Sequence, residues 1–294
     1  MLAENILEKI GFTEKMKEDY IKYAAIADKK IFEYSKAYMD DEMTMEQVQD
    51  VIDTLANDNI HKCTVRLLFI LGCTGKLYEK YIEAGRTEQM FINAVRDILF
   101  KTVECEKRYG VFGIAPLWWF DGLFKMTRFS TIRLQFDKTT LTKDPIKLSN
   151  YTVETGDLIF KCHIPSDGPL TYEKRYASYK ELYEFYKDEL KDGILVMHCD
   201  SWLLFPDYIE KVFDPNSNIV DFSRDFEIYD KEYVENFGDC WRIFNKDFDG
   251  DVDSLPQETS LQKAFVKFMK ESPNTFGGGS GVILFDGENI LSRK

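Results

Sequence analysis

Apolar residues fall three and four apart through residues 2–125, the spacing of helices that bury one face. Thr44 and Gln47 make a capping-box pattern ahead of Val48, Val51, Ile52 and Leu55. The helical period continues through Val65–Tyr81. Thr87 then opens a helix carrying Phe91, Val95, Ile98, Leu99 and Val103, which closes near Gly110. Trp118, Trp119 and Phe120 crowd between Gly113 and Phe124 with nothing polar converging on them, so they read as packing between domains.

After that the period changes to two. Phe129, Thr131, Arg133 and Gln135 alternate with Ile132, Leu134 and Phe136, the pattern of a half-buried strand. Tyr151–Val153 and Asp157–His163 follow as strands around a Thr155-Gly156 turn. Thr171–Leu190 reads as a helix striped with Tyr172, Tyr176, Tyr179, Tyr183 and Tyr186, which predicts core packing with hydroxyls at the rim. Further along, Ile194–Leu204 reads as a strand, Pro206–Phe213 as a short helix, and Asn218–Ile228 and Trp241–Phe244 as strands. Leu261, Ala264, Phe265 and Phe268 mark a last helix, and Val282–Phe285 a last strand. The pattern predicts an α+β protein: an all-α N-terminal domain, residues 1–128, packed on a mixed α/β C-terminal domain, residues 129–294.

Composition narrows the function classes. The 294 residues suffice for two domains, and 44% hydrophobic with 15% aromatic residues supplies a sizeable core. A formal net charge of −13 opposes nucleic-acid backbones and anionic lipid, and leaves room only for a local basic pocket. The six cysteines form no CxxC pair and several sit in apolar runs, so reduced thiols and a cytoplasmic location are expected. Glu4 and Glu8 interrupt the start where a signal peptide is apolar, and Val65–Leu71 is too short to span a bilayer. The expected partner is a small molecule, with no nucleic acid and no membrane.

The candidate chemistry gathers in Asp157–Leu204, which reads strand, polar turn, helix, strand. The first turn of a helix leaves N–H groups unpaired, so the turn Ser166, Asp167, Gly168, Leu170 and Thr171 is a candidate anion site. His163 ends the first strand and can act as a base, or can simply bond a turn backbone. On the second strand His198 and Asp200 share one face, and Cys199 and Ser201 the other. His198 with Asp200 fits an oriented base, and fits equally a buried pair that holds the strand end. Cys199 reads as a packing thiol, and without a G-x-S-x-G elbow Ser201 makes a poor hydrolase nucleophile. Asp247–Glu258 spaces its acids like an EF-hand loop, but Val252 stands where that loop bends at glycine, so a solvated acidic turn is expected. Gly277–Gly281 lacks the Lys-Ser/Thr of a nucleotide loop and reads as a bulge or a close backbone contact. No zinc spacing occurs, and no metal is expected.

Five motifs occur in order: RLQF at Arg133–Phe136, HIPSDGPL at His163–Leu170, SWLL at Ser201–Leu204, SNI at Ser217–Ile219 and LPQETSLQ at Leu255–Gln262. Together they resemble the bacterial two-domain acyltransferase family that joins a helical N-terminal domain to a GNAT-like C-terminal domain. The resemblance implies a GNAT-type fold, acyl-coenzyme A as co-substrate, and the donor's pyrophosphate resting on Ser166–Leu170. An enzyme of this kind would move the acyl group to an amine, and the strand-end residues read above, His163, His198, Asp200 and Ser201, are its catalytic candidates. The turn departs from the usual GNAT phosphate loop: it has one glycine, Gly168, a proline without an N–H, and the negative Asp167. Those departures favour a second reading, a non-catalytic small-molecule or protein-binding module on a degenerate GNAT scaffold. The clustered His163, His198 and Asp200 favour the enzyme.

Overall fold

The computed structural model describes residues 3–293, with side chains described from Asn5 onward. The chain divides into two compact units, Met1–Thr131 and Ile132–Lys294.

The first unit is built of helices: α1 (Ala3–Ile10), α2 (Glu14–Ile26), α3 (Lys30–Met39), α4 (Met45–Ile52), α5 (Lys62–Glu83), α6 (Glu88–Tyr109) and α7 (Asp121–Phe124), before a short strand at Arg128–Ser130. Their starts are set by side chains that satisfy first-turn N–H groups. Thr13 accepts from Met16 N and Thr87 from Met90 N, while Thr44 and Gln47 bond reciprocally in the capping box. Helix α5 is the centre: Val65, Leu67, Leu68, Phe69 and Ile70 are each 0% exposed. Between Cys63 and Leu71 only Arg66 is not buried, and a stretch so enclosed needs no polar face, which is why its apolar stripe broadens there to a nearly continuous run.

The aromatic cluster differs from expectation, because polar groups do converge on it within this unit. Trp119 Nε1 donates to Asp97 Oδ2 at 2.5 Å, and the Arg128 guanidinium lies 3.8 Å from the Trp119 ring centroid. Asp97, Lys101 and Arg128 are all buried. They come from α6 and from the strand at Arg128–Ser130, too far apart in sequence to be read as neighbours of the tryptophan.

In the second unit, β1 (Gln135–Thr140), β2 (Leu158–His163), β3 (Leu195–Ser201), β4 (Glu227–Val234) and β5 (Phe276–Phe285) are ordered β1-β2-β3-β5-β4. All neighbours are antiparallel except β2 and β3. A parallel pair needs a long crossover, supplied here by α8 (Tyr172–Tyr186). On one sheet face Tyr176, Tyr179 and Tyr183 of α8 pack on Phe285, and Tyr186 packs on Phe160. On the other, Ile159, Val196, Val282 and Leu284 form an apolar patch with Leu141 and with Ile146 and Val153 of a short hairpin. The short helices α9 (Pro206–Lys211), α10 (Asn218–Ser223), α11 (Cys240–Phe244) and α12 (Ser260–Glu271) complete the unit. Tyr208, Phe213, Phe265 and Phe268 make its aromatic core.

Several expected elements change. The strand expected over Phe129–Phe136 breaks at 131–134. There Ile132 N donates to Glu181 Oε2 at 3.3 Å and Arg133 N to Ser178 Oγ at 3.1 Å, so α8 takes the backbone donors a strand neighbour would have used. The Asn218–Ile228 segment starts as helix α10, because Ser217 caps it by accepting from Val220 N. Trp241–Phe244 belongs to helix α11, stopped by Asn245 in the left-handed conformation. Both helices are too short for periodicity to separate them from strands. The last strand begins at Phe276 and contains the whole glycine run. A Cβ at Gly279 would stand 2.1 Å from Leu204 O, so close backbone approach excludes a side chain there.

A buried charge network ties α8 to the C-terminal segment. Arg175, 0% exposed, donates through Nε to Asp225 Oδ2 at 2.6 Å and also to Asp221. Arg293 donates to both aspartates, and the Tyr179 hydroxyl donates to Asp225 at 3.0 Å. Burial, with Asp225 adding to it, pushes the Tyr179 hydroxyl well above its ordinary value. Removing one member of such a set strands its partner's charge, at a cost of about 3–5 kcal/mol.

Candidate functional site

The parallel strands β2 and β3 are in register at Phe160–Met197 and Lys161–His198. Among the described residues no further pair joins them toward His163 and Ser201, so their carboxyl ends part. Strand alternation puts Lys161 and His163 of β2 on the same sheet face as His198 and Asp200 of β3. Cross-strand register adds Gln135 and Asp137 from β1 and Ser280 from β5 to that face. The parted ends therefore carry a polar row on a face whose other end is apolar.

His163 Nε2 lies 2.8 Å from Asp137 Oδ2, with both side chains about a quarter exposed. A carboxylate on one ring nitrogen fixes the orientation of the imidazole. His198 stands in a tighter environment. Its Nε2 lies 2.9 Å from the Tyr229 hydroxyl and 3.6 Å from Asp200 Oδ1, and its Nδ1 is buried without a partner among the described residues. Burial lowers the His198 pKa from its ordinary 6.5; Asp200 opposes this, and Lys161 and Lys143 add to it. Asp200 in turn accepts from Ser280 Oγ at 2.5 Å.

Ser201 is not brought to the histidines. Its hydroxyl accepts from Leu203 N at 3.2 Å and caps the 3₁₀ turn Trp202–Leu204. Cys199 is buried and faces α8, where it shares a hydrogen bond with the Cys162 thiol; that contact and burial push Cys162 far up. Neither thiol is set to act as a nucleophile.

The turn ahead of α8 is open to solvent: Ser166, Gly168 and Pro169 are exposed. Its carbonyls are drawn inward by one side chain. Arg133, 4% exposed, donates to Pro165 O at 2.9 Å, Gly168 O at 2.8 Å and Pro169 O at 3.3 Å. Gly168 has φ +72°, a conformation that costs glycine nothing. Thr171 makes no side-chain cap, so the Tyr172 and Glu173 N–H groups at the start of α8 have no acceptor among the described residues. Backbone donors at the mouth of a helix, beside the parted strands, suit a phosphate.

The acidic loop is closed on itself. Asp249 accepts from Asp251 N and from Lys246, Asp251 accepts from Asp253 N, and Lys270 pairs with Asp253. Among the described residues no group of His, Cys, Asp or Glu could hold a metal ion. No helix among them is long and apolar enough to cross a membrane.

Asp137, Tyr229 and Ser280 are site residues the sequence analysis did not single out. Asp137 could have been found, since it lies two positions from Gln135 on an alternating strand. Tyr229 lies just beyond a segment read as strand where a helix forms, and Ser280 lies inside the glycine run.

A parallel strand pair parting beside the start of a long helix, with polar side chains lining the gap, defines a GNAT-type fold. Comparison with known proteins agrees. Residues 129–283 match the family described as GNAT-like C-terminal domain, and residues 1–126 match the N-acyltransferase N-terminal domain. The chain belongs to this GNAT-like family, with the N-acyltransferase helical domain preceding it. No curated protein matches it in sequence. Among solved structures, an acyltransferase in complex with decanoyl-CoA and teicoplanin is 18% identical with a TM-score of 0.71, over 96% of this chain and 87% of that one. A mutant acyltransferase in complex with octanoyl-CoA is 17% identical with a TM-score of 0.71, over 95% and 86%. An acyltransferase in complex with decanoyl-CoA is 17% identical with a TM-score of 0.66, over 96% and 99%. At these identities the likeness is one of fold.

Proposed function

We propose that the protein moves an acyl group from acyl-coenzyme A to the amine of a small-molecule acceptor. The observation that carries this reading is the parting of β2 and β3 with His163 and His198 on one face of the gap. The amine nitrogen attacks the thioester carbonyl, the C–N bond forms, the C–S bond breaks, and coenzyme A leaves as its thiol. The amine proton must go to a base. His198, whose pKa is lowered, is neutral at physiological pH and is the first choice; His163, oriented by Asp137, is the second. Asp200 stabilises protonated His198, and Ser201 fixes the turn that ends β3. The donor's pyrophosphate rests on Ser166, Asp167, Gly168, Leu170 and Thr171, at the free N–H groups of α8. Relatives in fold hold octanoyl- and decanoyl-CoA, which supports a medium-chain donor. Six buried free thiols support a reducing, cytoplasmic setting.

Asp167 beside the turn and the single glycine favour the second reading, a binding module that performs no transfer. Release of free thiol from octanoyl-coenzyme A, followed across a panel of amines, separates the two. Amine-dependent release supports the enzyme. No release with any amine, with the donor still bound, supports the binding module.

A further inference from the structure

We propose that Arg133 is a positioning residue for the donor's pyrophosphate: a buried positive charge that holds the carbonyls of the turn ahead of α8 and backs an anion seated on the turn's N–H groups. This rests on the reading that places the donor at this turn, and it deepens that reading by naming what orders and charges the turn.

The direction of the turn's N–H groups follows from its carbonyls. In a trans peptide the C=O and N–H bonds point opposite ways, and the described residues contain no cis peptide bond. Arg133 draws Pro165 O and Pro169 O to its guanidinium, at 2.9 and 3.3 Å, so the N–H groups of Ser166 and Leu170 point away from it. Arg175 holds Leu170 O at 3.2 Å, so the Thr171 N–H points away from that guanidinium. Gly168 O, 2.8 Å from Arg133, precedes Pro169, whose nitrogen carries no hydrogen. The N–H groups of Leu170 and Thr171 meet no acceptor among the described residues. Those of Tyr172 and Glu173 follow them in the first turn of α8. Successive unpaired donors at a turn and a helix start suit an anion.

The charge of Arg133 points to the same ligand. Arg133 is 4% exposed, and a guanidinium keeps its proton. Buried charges are normally paired, yet no carboxylate is bonded to Arg133 among the described residues; its guanidinium partners are three neutral carbonyls. Other arginines differ. Arg66 is bonded to Asp53, and Arg175 and Arg293 are each bonded to Asp221 and Asp225. Against burial, those bonds hold all three above their ordinary pKa. Burial takes Arg133 below its own, with Asp167 opposing it through space. Arg133 is thus a buried guanidinium without a bonded counter-charge. An anion on the N–H side of the turn supplies one, across peptide groups whose carbonyl ends already meet the guanidinium.

Inorganic pyrophosphate is the probe, added to the intact protein with leucine and threonine labelled by nitrogen-15. The amide signals of Leu170 and Thr171, assigned with Leu170→Ile and Thr171→Ser, are expected to shift saturably in wild type. In Arg133→Met the pyrophosphate affinity is expected to fall about tenfold, and the loss should appear as a rise in donor KM rather than a fall in kcat. Arg133→Lys keeps the charge and is expected to recover most of the affinity. A role confined to bracing the turn predicts no such rescue, because one ammonium cannot reach three carbonyls. Unmoved Leu170 and Thr171 signals in wild type would overturn the proposal, and that measurement stands even if Arg133→Met does not fold. Equal affinity in Arg133→Met and wild type would also overturn it, as would Arg133→Lys binding as weakly as Arg133→Met. Pyrophosphate binding in the expected pattern with no acyl transfer would sink the proposed activity and leave the anion site standing.

Discussion

At the scale of single residues, the two histidines differ in ways a pH profile can read. Burial dominates at His198 and lowers its pKa below 6.5. The acid limb of kcat/KM for the acyl transfer is therefore expected to turn over below 6.5, once the acceptor's own ionisation is accounted for. A midpoint above that value would point to a base other than His198. The same shift bears on folding. The unfolded chain takes up the His198 proton first, so its contribution to stability is present above the ordinary histidine pKa and is lost as pH falls through the lowered one. His198→Gln should lower turnover by about two to four powers of ten while leaving donor affinity nearly intact. A full rate in that variant, measured with saturating donor, would move the base to His163. The pairing of His198 with Asp200 was legible from alternation on one strand. Asp137, Tyr229 and Ser280 were not, because each reaches its partner, His163, His198 or Asp200, from another strand.

At the scale of elements, capping residues made the helices readable. Thr44 and Thr87 each satisfy a first-turn N–H group, and each marks its boundary in the sequence. The misread segments are those where a tertiary partner overrides the pattern. Arg133 and Ile132 give their backbone donors to α8, and Ser217 and Asn245 set the ends of helices too short to show a period. The glycine run showed its purpose but not its element. It is a strand stripped of side chains so that Leu204 can approach. Gly279→Ala should cost about 1–3 kcal/mol or more, because a methyl group has nowhere to go against a backbone carbonyl. Chemical denaturation of the intact protein measures this, and a variant as stable as wild type would mean that the Leu204 turn gives way. The acidic turn is expected to bind no calcium. Its aspartates already accept from Asp251 N, Asp253 N, Lys246 and Lys270, so millimolar calcium should leave the melting temperature unchanged. A clear rise that is absent in Asp247→Ala would contradict this.

At the scale of the whole molecule, the change of period near Phe129 announced a helical part followed by a mixed sheet, and the five motifs pointed to the family that the comparisons establish. What the sequence could not show is how a turn with one glycine and an aspartate is held in place. Part of the answer is Arg133, whose guanidinium donates to three turn carbonyls. Titration calorimetry of the intact protein with octanoyl-coenzyme A tests whether the donor binds at this turn. A saturable heat is expected in wild type. In Gly168→Val affinity should fall about tenfold or more, because a β-branched residue at φ +72° forces the turn to rearrange. No heat in wild type, or equal affinity in the two proteins, would contradict the account.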